Sequence, residues 1–317
     1  MLSSILRALR SQEGYVSGED ISRTLRISRA AIWKYMDQLR ALGYEIEAFP
    51  HRGYRFVSAP DMLLPTEVQP GLGTRKFGCE VRHFDSIAST MDEAFHLALE
   101  GAVEGTVVVA EAQTRGRGRL GRQWSSPRSR GIYFSLILRP RIPPSQAPLL
   151  TLAAAVALSE AVEKAVPSVK PRIKWPNDIL AGGKKLCGIL TELRAETDRV
   201  QFVIVGAGIN VNNPPAQLLP DATSLRVEAG HTVARNVLFQ EVLRHFEARY
   251  GAFLKGGAGA VLPEWKKRSA TLGARVRFME RGEQRIGIAE DLAEDGGLMV
   301  RLSDGKLVKR VAGDILL

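Results

Sequence analysis

The residues of this chain best suited to chemistry lie in four short stretches of its middle. They are Gly116-Arg-Gly-Arg-Leu-Gly121, Lys174-Trp-Pro-Asn-Asp178, Lys184-Lys-Leu-Cys-Gly188 and Gly206-Ala-Gly-Ile-Asn210. The first is a flexible glycine loop that carries Arg115, Arg117, Arg119 and Arg122. Such a loop can close over an anion with backbone amides and guanidinium forks, excluding water as it orders. A solvated basic loop is the plain alternative, but glycine alternating with arginine outside any repeat favours a ligand clamp. The later stretches add lysines, a carboxylate and glycines within strands, which mark close approach of a ligand to the backbone. Taken singly, Lys185 and Asp178 read as surface charges.

The glycine loop also fits G-x-G-x-x-G, so a dinucleotide site is tested first. That site needs a strand before the loop, a helix after it and a ribose-binding acid about 20 residues on. A strand does precede. Gln123 to Gly131 is no helix, however, and no Asp or Glu follows until Glu160. The dinucleotide reading fails on context.

These stretches need elements to position them. Residues 75–267 read as an α+β domain. Its strands are expected at Val81–Asp85, Thr106–Ala110, Ile132–Arg139, Arg172–Trp175, Lys185–Leu193 and Gln201–Val211, with helices at Ser89–Leu99, Leu149–Val166 and Ala234–Phe253. Several strands follow one another without a helix, which argues for a mixed, mostly antiparallel sheet. Residues 270–317 alternate as short strands with turns at Arg281-Gly282, Gly296-Gly297 and Asp304-Gly305, the pattern of a small β-barrel.

Residues 1–60 read as three short helices and a hairpin. Ser17 and Asp20 resemble a capping box, and Ser28 is an N-cap for a helix stopped by Gly43. Ile32, Met36 and Leu39 fall on one face of that helix, leaving Arg29, Lys34 and Gln38 outside. With a hairpin tipped by His51-Arg52-Gly53, this is a winged helix-turn-helix. Ser28, Arg29, Lys34, Gln38, Arg52 and Arg55 are its candidate DNA contacts. A linker is expected over 58–73, where three prolines and two glycines fall, and a weaker boundary near 268–274.

Composition agrees. The chain has 317 residues, 45% hydrophobic and 25% charged, which excludes a disordered or fibrous chain and leaves ample core. The formal charge of +10 favours an anionic partner, and eight arginines with no acid lie between Arg115 and Arg141. The longest apolar run, Ala147–Ala157, is too short for a membrane span, and no secretory signal opens the chain. Cys79 and Cys187 cannot form a disulfide framework, so a cytoplasmic protein with no membrane partner is expected. Cys79 and His83 make one lone pair without the second pair that a zinc site needs.

In this order, the stretches resemble one family, the biotin–protein ligases, in the bifunctional form that is also the biotin operon repressor. The carrying pieces are Ser17–Gly43, Asp85-Ser…Ser89-Thr90, Gln113 through Trp124, Lys174–Asp178, Lys185–Gly188 and Gly206–Asn210. They span nearly the whole chain. Met91 stands where an Asn is common, Cys187 where Ala is usual, and the chain ends at Leu317 soon after Gly313-Asp314.

The resemblance implies a class II synthetase-like ligase domain and an SH3-like C-terminal barrel. It implies that biotin reacts with ATP, with Mg²⁺, to give biotinyl-5′-adenylate, and that a lysine of a biotin carboxyl carrier protein then takes the biotin. Lys185, Arg119 and Asp178 would be catalytic. Ser89, Thr90, Met91, Gln113, Arg117, Gly118, Arg119 and Lys185 would bind biotin. Gly116, Arg122, Trp124, Lys174, Asn177, Gly188, Gly206, Gly208 and Asn210 would bind the adenylate. No protein ligand for the metal is implied. Operator DNA and a ligand-promoted homodimer complete the partners. A biotin-sensing regulator without catalysis and a lipoate–protein ligase are the competing readings. The retained Lys185, Asp178 and arginine loop speak against the first, and the winged helix and the glycine loop speak against the second.

Overall fold

The computed structural model describes every residue except 281, 282, 312, 314 and 317. The expected turn at Arg281-Gly282, Asp314 and the chain end at Leu317 therefore lie outside the described residues. The chain divides into two compact units, Met1–Pro70 and Gly71–Leu317.

The first unit holds α1 (Leu2–Arg10), α2 (Gly18–Leu25), α3 (Arg29–Ala41), β1 (Glu45–Phe49), β2 (Gly53–Ser58) and α4 (Pro65–Val68). Ile5, Leu9, Ile21, Ile32, Met36 and Leu39 form its core. Arg26, at φ 53, makes the turn between α2 and α3. Ser28 caps α3 by accepting from the Ala31 amide at 3.2 Å. Ser17 caps α2 by accepting from Glu19 rather than Asp20, so the expected capping box is not made. Part of the expected linker is also ordered. α4 belongs to this unit, where Leu64 joins the core and Tyr44 Oη donates to Glu67 at 2.6 Å. Apolar Leu63, Leu64 and Val68 override the prolines around them.

In the second unit a seven-stranded sheet runs in the order β3 (Val81–Phe84), β4 (Val107–Ala110), β5 (Gly131–Leu138), β9 (Val200–Asn210), β8 (Lys184–Ala195), β7 (Asp178–Ala181), β6 (Arg172–Lys174). Only β3 and β4 pair in parallel; every other neighbouring pair is antiparallel. β7 was not expected, because four residues after Pro176 give too little periodicity to read. Helix α5 (Thr90–Leu99) packs Met91, Ala94 and Ala98 on one sheet face. The opposite face meets α8 (Arg235–Gly256), where Phe134 packs on Phe239. Both faces are thus covered, and all eight residues of β5 are buried.

Helix α6 (Ala147–Ala165) corrects the reading of its apolar run. With the preceding turn it spans Pro144–Ala165, long and apolar enough to cross a membrane by length and composition, yet 72% of its apolar window is buried inside the fold. It packs on α8 and α9 (Ala258–Arg268) as a core helix. A short α7 (Leu225–Ala229) precedes α8. The C-terminal part is an antiparallel meander of β10 (Arg275–Glu280), β11 (Glu283–Leu292), β12 (Leu298–Leu302) and β13 (Leu307–Arg310). Leu316 returns to bridge Arg277 on the outer edge of β10, the return a small barrel needs.

Candidate active site

The site is built on the α5 face of the sheet, where β8 and β9 carry glycines instead of side chains. Gly188 pairs with Gly208, and Leu190 with Gly206. The indole of Trp124 fills the space over the first pair. A Cβ on Gly208 would lie 2.3 Å from Trp124 Nε1, and one on Gly188 3.0 Å from its Cζ3. A Cβ on Gly206 would meet Met91 Sδ at 2.4 Å. Met91 therefore has a place, because glycine makes room for it. Trp124 is itself fixed from the loop, its amide donating to Gly116 O at 2.9 Å.

A cavity of about 250 Å³ opens beside this arrangement, with Thr90, Gln113, Arg119, Trp124, Asp178 and Lys185 among its walls. At one end Gln113 Oε1 accepts from the Thr90 amide at 2.8 Å and from Thr90 Oγ1 at 3.1 Å. Its Nε2 donates to Ser126 Oγ at 2.9 Å, and Ser135 donates to Thr90 Oγ1 at 2.9 Å. This polar chain fixes the carboxamide without using all of its hydrogen-bonding capacity. Ser89 is the N-cap residue of α5, buried just behind it.

The charged end holds Lys185 and Asp178. Nζ of Lys185 lies 2.8 Å from Asp178 Oδ1 and 5.6 Å from the Trp124 ring centre. The pair is close but off the hydrogen-bond direction, since Oδ1 has no hydrogen-bond partner among the described residues. Lys185 reaches this face through a bulge. Cys187 pairs with Ile179 while Lys185 pairs with Leu180, so Leu186 is an extra residue on β8. Strand alternation would otherwise put Lys185 on the face opposite Gly188. Cys187 lies buried below, its thiol pushed well above the usual range by burial and then by Asp178, so it packs rather than reacts.

The glycine loop is anchored at several points. Arg117 bridges Asp92 and Glu192, at 2.9 Å each. Arg119 donates to Asn177 Oδ1 at 2.9 Å, and Asn177 Nδ2 donates to Ile189 O at 2.7 Å. Gly118 and Arg122 also reach the cavity wall. Asn210 lines it as well and donates from Nδ2 to Thr223 O at 3.0 Å.

Most of the expected binding residues thus converge on one cavity. Three do not. Gly116 lies in the adjoining groove, supporting Trp124; Ser89 sits behind Thr90; and Lys174 lines a neighbouring recess with Arg277 and Phe278 of the C-terminal sheet. Sequence reasoning also missed a wall. Gln217, Leu218, Leu219, Asp221 and Ala222 line the cavity, and the Lys185 amide donates to Asp221 O at 2.8 Å. Asn213, whose Oδ1 is buried without a hydrogen-bond partner among the described residues, is a further lining residue. No charge or glycine pattern marks this stretch.

In the first unit the expected DNA contacts Ser28, Arg29, Lys34, Gln38, Arg52 and Arg55 are all exposed. Ser28 is engaged as a cap, and Arg55 pairs with Glu47 at 2.7 Å. Arg52 stacks 4.7 Å from the Tyr15 ring. Arg29 and Arg52 share the groove between α3 and the hairpin tip.

The chain combines a winged helix with an α+β domain that carries an arginine-loop cavity. Residues 83–210 match the biotin/lipoate A/B protein ligase family, residues 2–55 a helix-turn-helix domain, and residues 271–317 the biotin protein ligase C-terminal domain. The chain is 41% identical over 304 residues to the bifunctional ligase/repressor BirA of Bacillus subtilis, covering 94% of this chain and 93% of that one. It is 37% identical to the biotin–[acetyl-CoA-carboxylase] ligase of Mycobacterium tuberculosis, covering 74% of this chain and 89% of that one. The biotin protein ligase of Aquifex aeolicus, solved with biotin and ATP, superposes with a TM-score of 0.65 at 28% identity, covering 75% of this chain and 98% of that one. The chain belongs to the bifunctional biotin–protein ligase and repressor family.

Proposed function

We infer that this protein activates biotin with ATP to biotinyl-5′-adenylate, transfers the biotin to a lysine of a biotin carboxyl carrier protein, and represses biotin-synthesis genes through its winged helix. The observation that carries the reading is the Lys185–Asp178 pair, set beside the Gly188–Gly208 floor in the cavity that Arg119 lines. Joining a carboxylate to an α-phosphate brings two anions together, so cations must offset their repulsion and hold them aligned. Lys185 supplies one such cation. A substrate anion exchanges with Asp178 as its partner. The exchange leaves the Asp178 carboxylate available to the incoming lysine, which is mostly protonated at neutral pH from a free pKa of about 10.4.

Thr90 and Gln113 are assigned to the biotin headgroup, with Ser89 behind them. Gly206, Gly208 and Asn210 are assigned to the adenylate. Mg²⁺ is proposed to arrive with the triphosphate. No cluster of three metal-ligating side chains occurs among the described residues, and Mg²⁺ is commonly held by substrate phosphates and its own waters. Residues 1–60 are assigned to DNA, 75–267 to catalysis and 270–317 to the recess that Lys174 lines. A cytoplasmic location, a homodimer formed when the adenylate orders the arginine loop, and the carrier-protein partner belong to the same reading. The test is incubation with labelled biotin, ATP, Mg²⁺ and an apo carrier domain. Biotinylated carrier is expected, and transfer of lipoate instead of biotin overturns the assignment.

A further inference from the structure

Helix α3 exposes something a solvated helix has little use for. Trp33 is 59% exposed, whereas Trp175 is 2% and Trp265 0% exposed. The indole stands one helical turn after Arg29, and exposed Ala30 and Lys34 flank it. Small Ala30 leaves it projecting. Arg29 lines the groove toward the hairpin tip, where Arg52 and half-exposed Phe49 stand. Asp37, the acid of this unit nearest in sequence, pairs with Arg40 at 3.3 Å, and Glu45, the next, accepts from Ser58 Oγ at 2.7 Å. Arg29 and Lys34 therefore stand beside an apolar plate in the first two turns of the second helix of a helix-turn-helix. Those turns are the ones that reach base edges in the major groove.

We propose that Trp33 is a specificity-determining residue for DNA, packing its ring on the 5-methyl group of a thymine in the major groove. The inference rests on the repressor reading above. An apolar plate distinguishes a base by the thymine methyl, the one apolar group on the major-groove edge, while neighbouring cations position through phosphates. Burying the indole on DNA also removes apolar surface from water, which is the driving force that its exposure leaves unused. A second copy of this chain or another protein seated on Trp33 is the competing occupant.

The full chain, loaded with biotin, ATP and Mg²⁺, is put through selection from a randomised duplex library, in parallel with Trp33→Ala and Trp33→Phe. The unsubstituted protein is expected to enrich a motif with at least one invariant thymine that Trp33→Ala no longer requires. Replacing that thymine by deoxyuridine should weaken the unsubstituted protein roughly fourfold, the worth of one buried carbon. The same replacement should leave Trp33→Ala unchanged, and Trp33→Phe should keep part of the sensitivity. Biotin transfer by all three proteins should be equal, and unchanged circular dichroism and thermal melting of the three full chains show that the first unit stays folded.

Identical selected motifs for Trp33→Ala and the unsubstituted protein overturn the inference. So does insensitivity of the unsubstituted protein to deoxyuridine at every thymine, or an equal loss on selected and random DNA. A change in self-association that accounts for the whole loss assigns Trp33 to a protein contact and also overturns it. If the unsubstituted protein enriches no motif at all, the repressor reading falls first, and this inference with it.

Discussion

Gly188 and Gly208 face each other across β8 and β9, and Trp124 lies on the flat patch of backbone that the pair exposes. An indole can rest on a sheet this closely only where neither strand carries a Cβ. The pair therefore sets the height of the cavity floor beside Lys185.

Gly208→Ala is expected to lower adenylate synthesis more than stability. Its new methyl group must displace the Trp124 ring, which enters the cavity or tilts off the sheet. Overpacking of this kind costs about 1–3 kcal/mol, which a thermal melt reads. ATP–pyrophosphate exchange with biotin should fall by at least roughly tenfold, the effect of about 1.4 kcal/mol at the reacting groups. Exchange at the unsubstituted rate would show that Trp124 has room to move harmlessly.

Lys185→Ala should lose roughly 10²–10³ in adenylate synthesis, the usual effect of removing one donor to a developing anion. Lys185→Arg should not restore it, because a planar fork cannot replace a point charge reached through a bulge. Asp178→Asn should spare pyrophosphate exchange relative to transfer onto the carrier lysine. Equal losses in both half-reactions would remove Asp178 from the second step.

A protein starting at Gly71 should remain soluble and activate biotin, since each unit has its own core, and DNA binding should disappear. The cut belongs after Pro70, because an earlier one splits α4 from Tyr44 and the winged-helix core. Gel shift and pyrophosphate exchange on the truncated protein decide it.

Biotin with ATP and Mg²⁺ should strengthen both self-association and DNA binding, whereas ATP alone should do neither. A ligand shifts an association only through its different affinity for the two states. The arginine loop offers such a difference, because Arg117 and Arg119 hold contacts that a bound anion would redistribute. Gly118→Asp should weaken catalysis and coupling together. Sedimentation and gel shift at fixed salt test this, and equal DNA affinity with and without the adenylate would leave a ligase with no biotin-sensing switch.

Acid should destabilise the second unit partly through Glu104. Burial alone would raise its carboxyl, but hydrogen bonds from Lys76, Tyr250 and the Arg139 amide outweigh that and hold it below the ordinary 4.5. A carboxylate lowered in the folded state stabilises above its unfolded pKa and loses that stabilisation as pH falls through the folded one. Melting temperature should therefore drop below pH 4.5, and Glu104→Gln should flatten that part of the curve. An unchanged slope would assign the acid sensitivity to other carboxylates.

Much of this protein is legible in its sequence. Core periodicity places α3, α5, α6 and α8, and the near-continuous apolar runs of β5 and β9 place two strands buried on both faces. The glycine loop and the motifs around Lys185, Asp178 and Asn210 mark the cavity, because chemistry on anions needs cations and close backbone approach wherever the chain folds. What only the tertiary structure decided is where side chains meet. The bulge at Leu186 turns Lys185 to the face of Gly188, and it depends on the register of β8 against β7, which no local pattern encodes. Lys174, three residues from Asn177, lines only the neighbouring recess that Asn177 shares, because β6 lies at the sheet edge, beside the C-terminal meander. Gln217 to Leu219, with Asp221 and Ala222, join the wall through a backbone bridge between Lys185 and Ala222, and backbone hydrogen bonds carry no mark of residue type. Residue types set which chemistry the chain can do. Long-range pairing, made between peptide groups that are alike at nearly every position, sets which residues do it together.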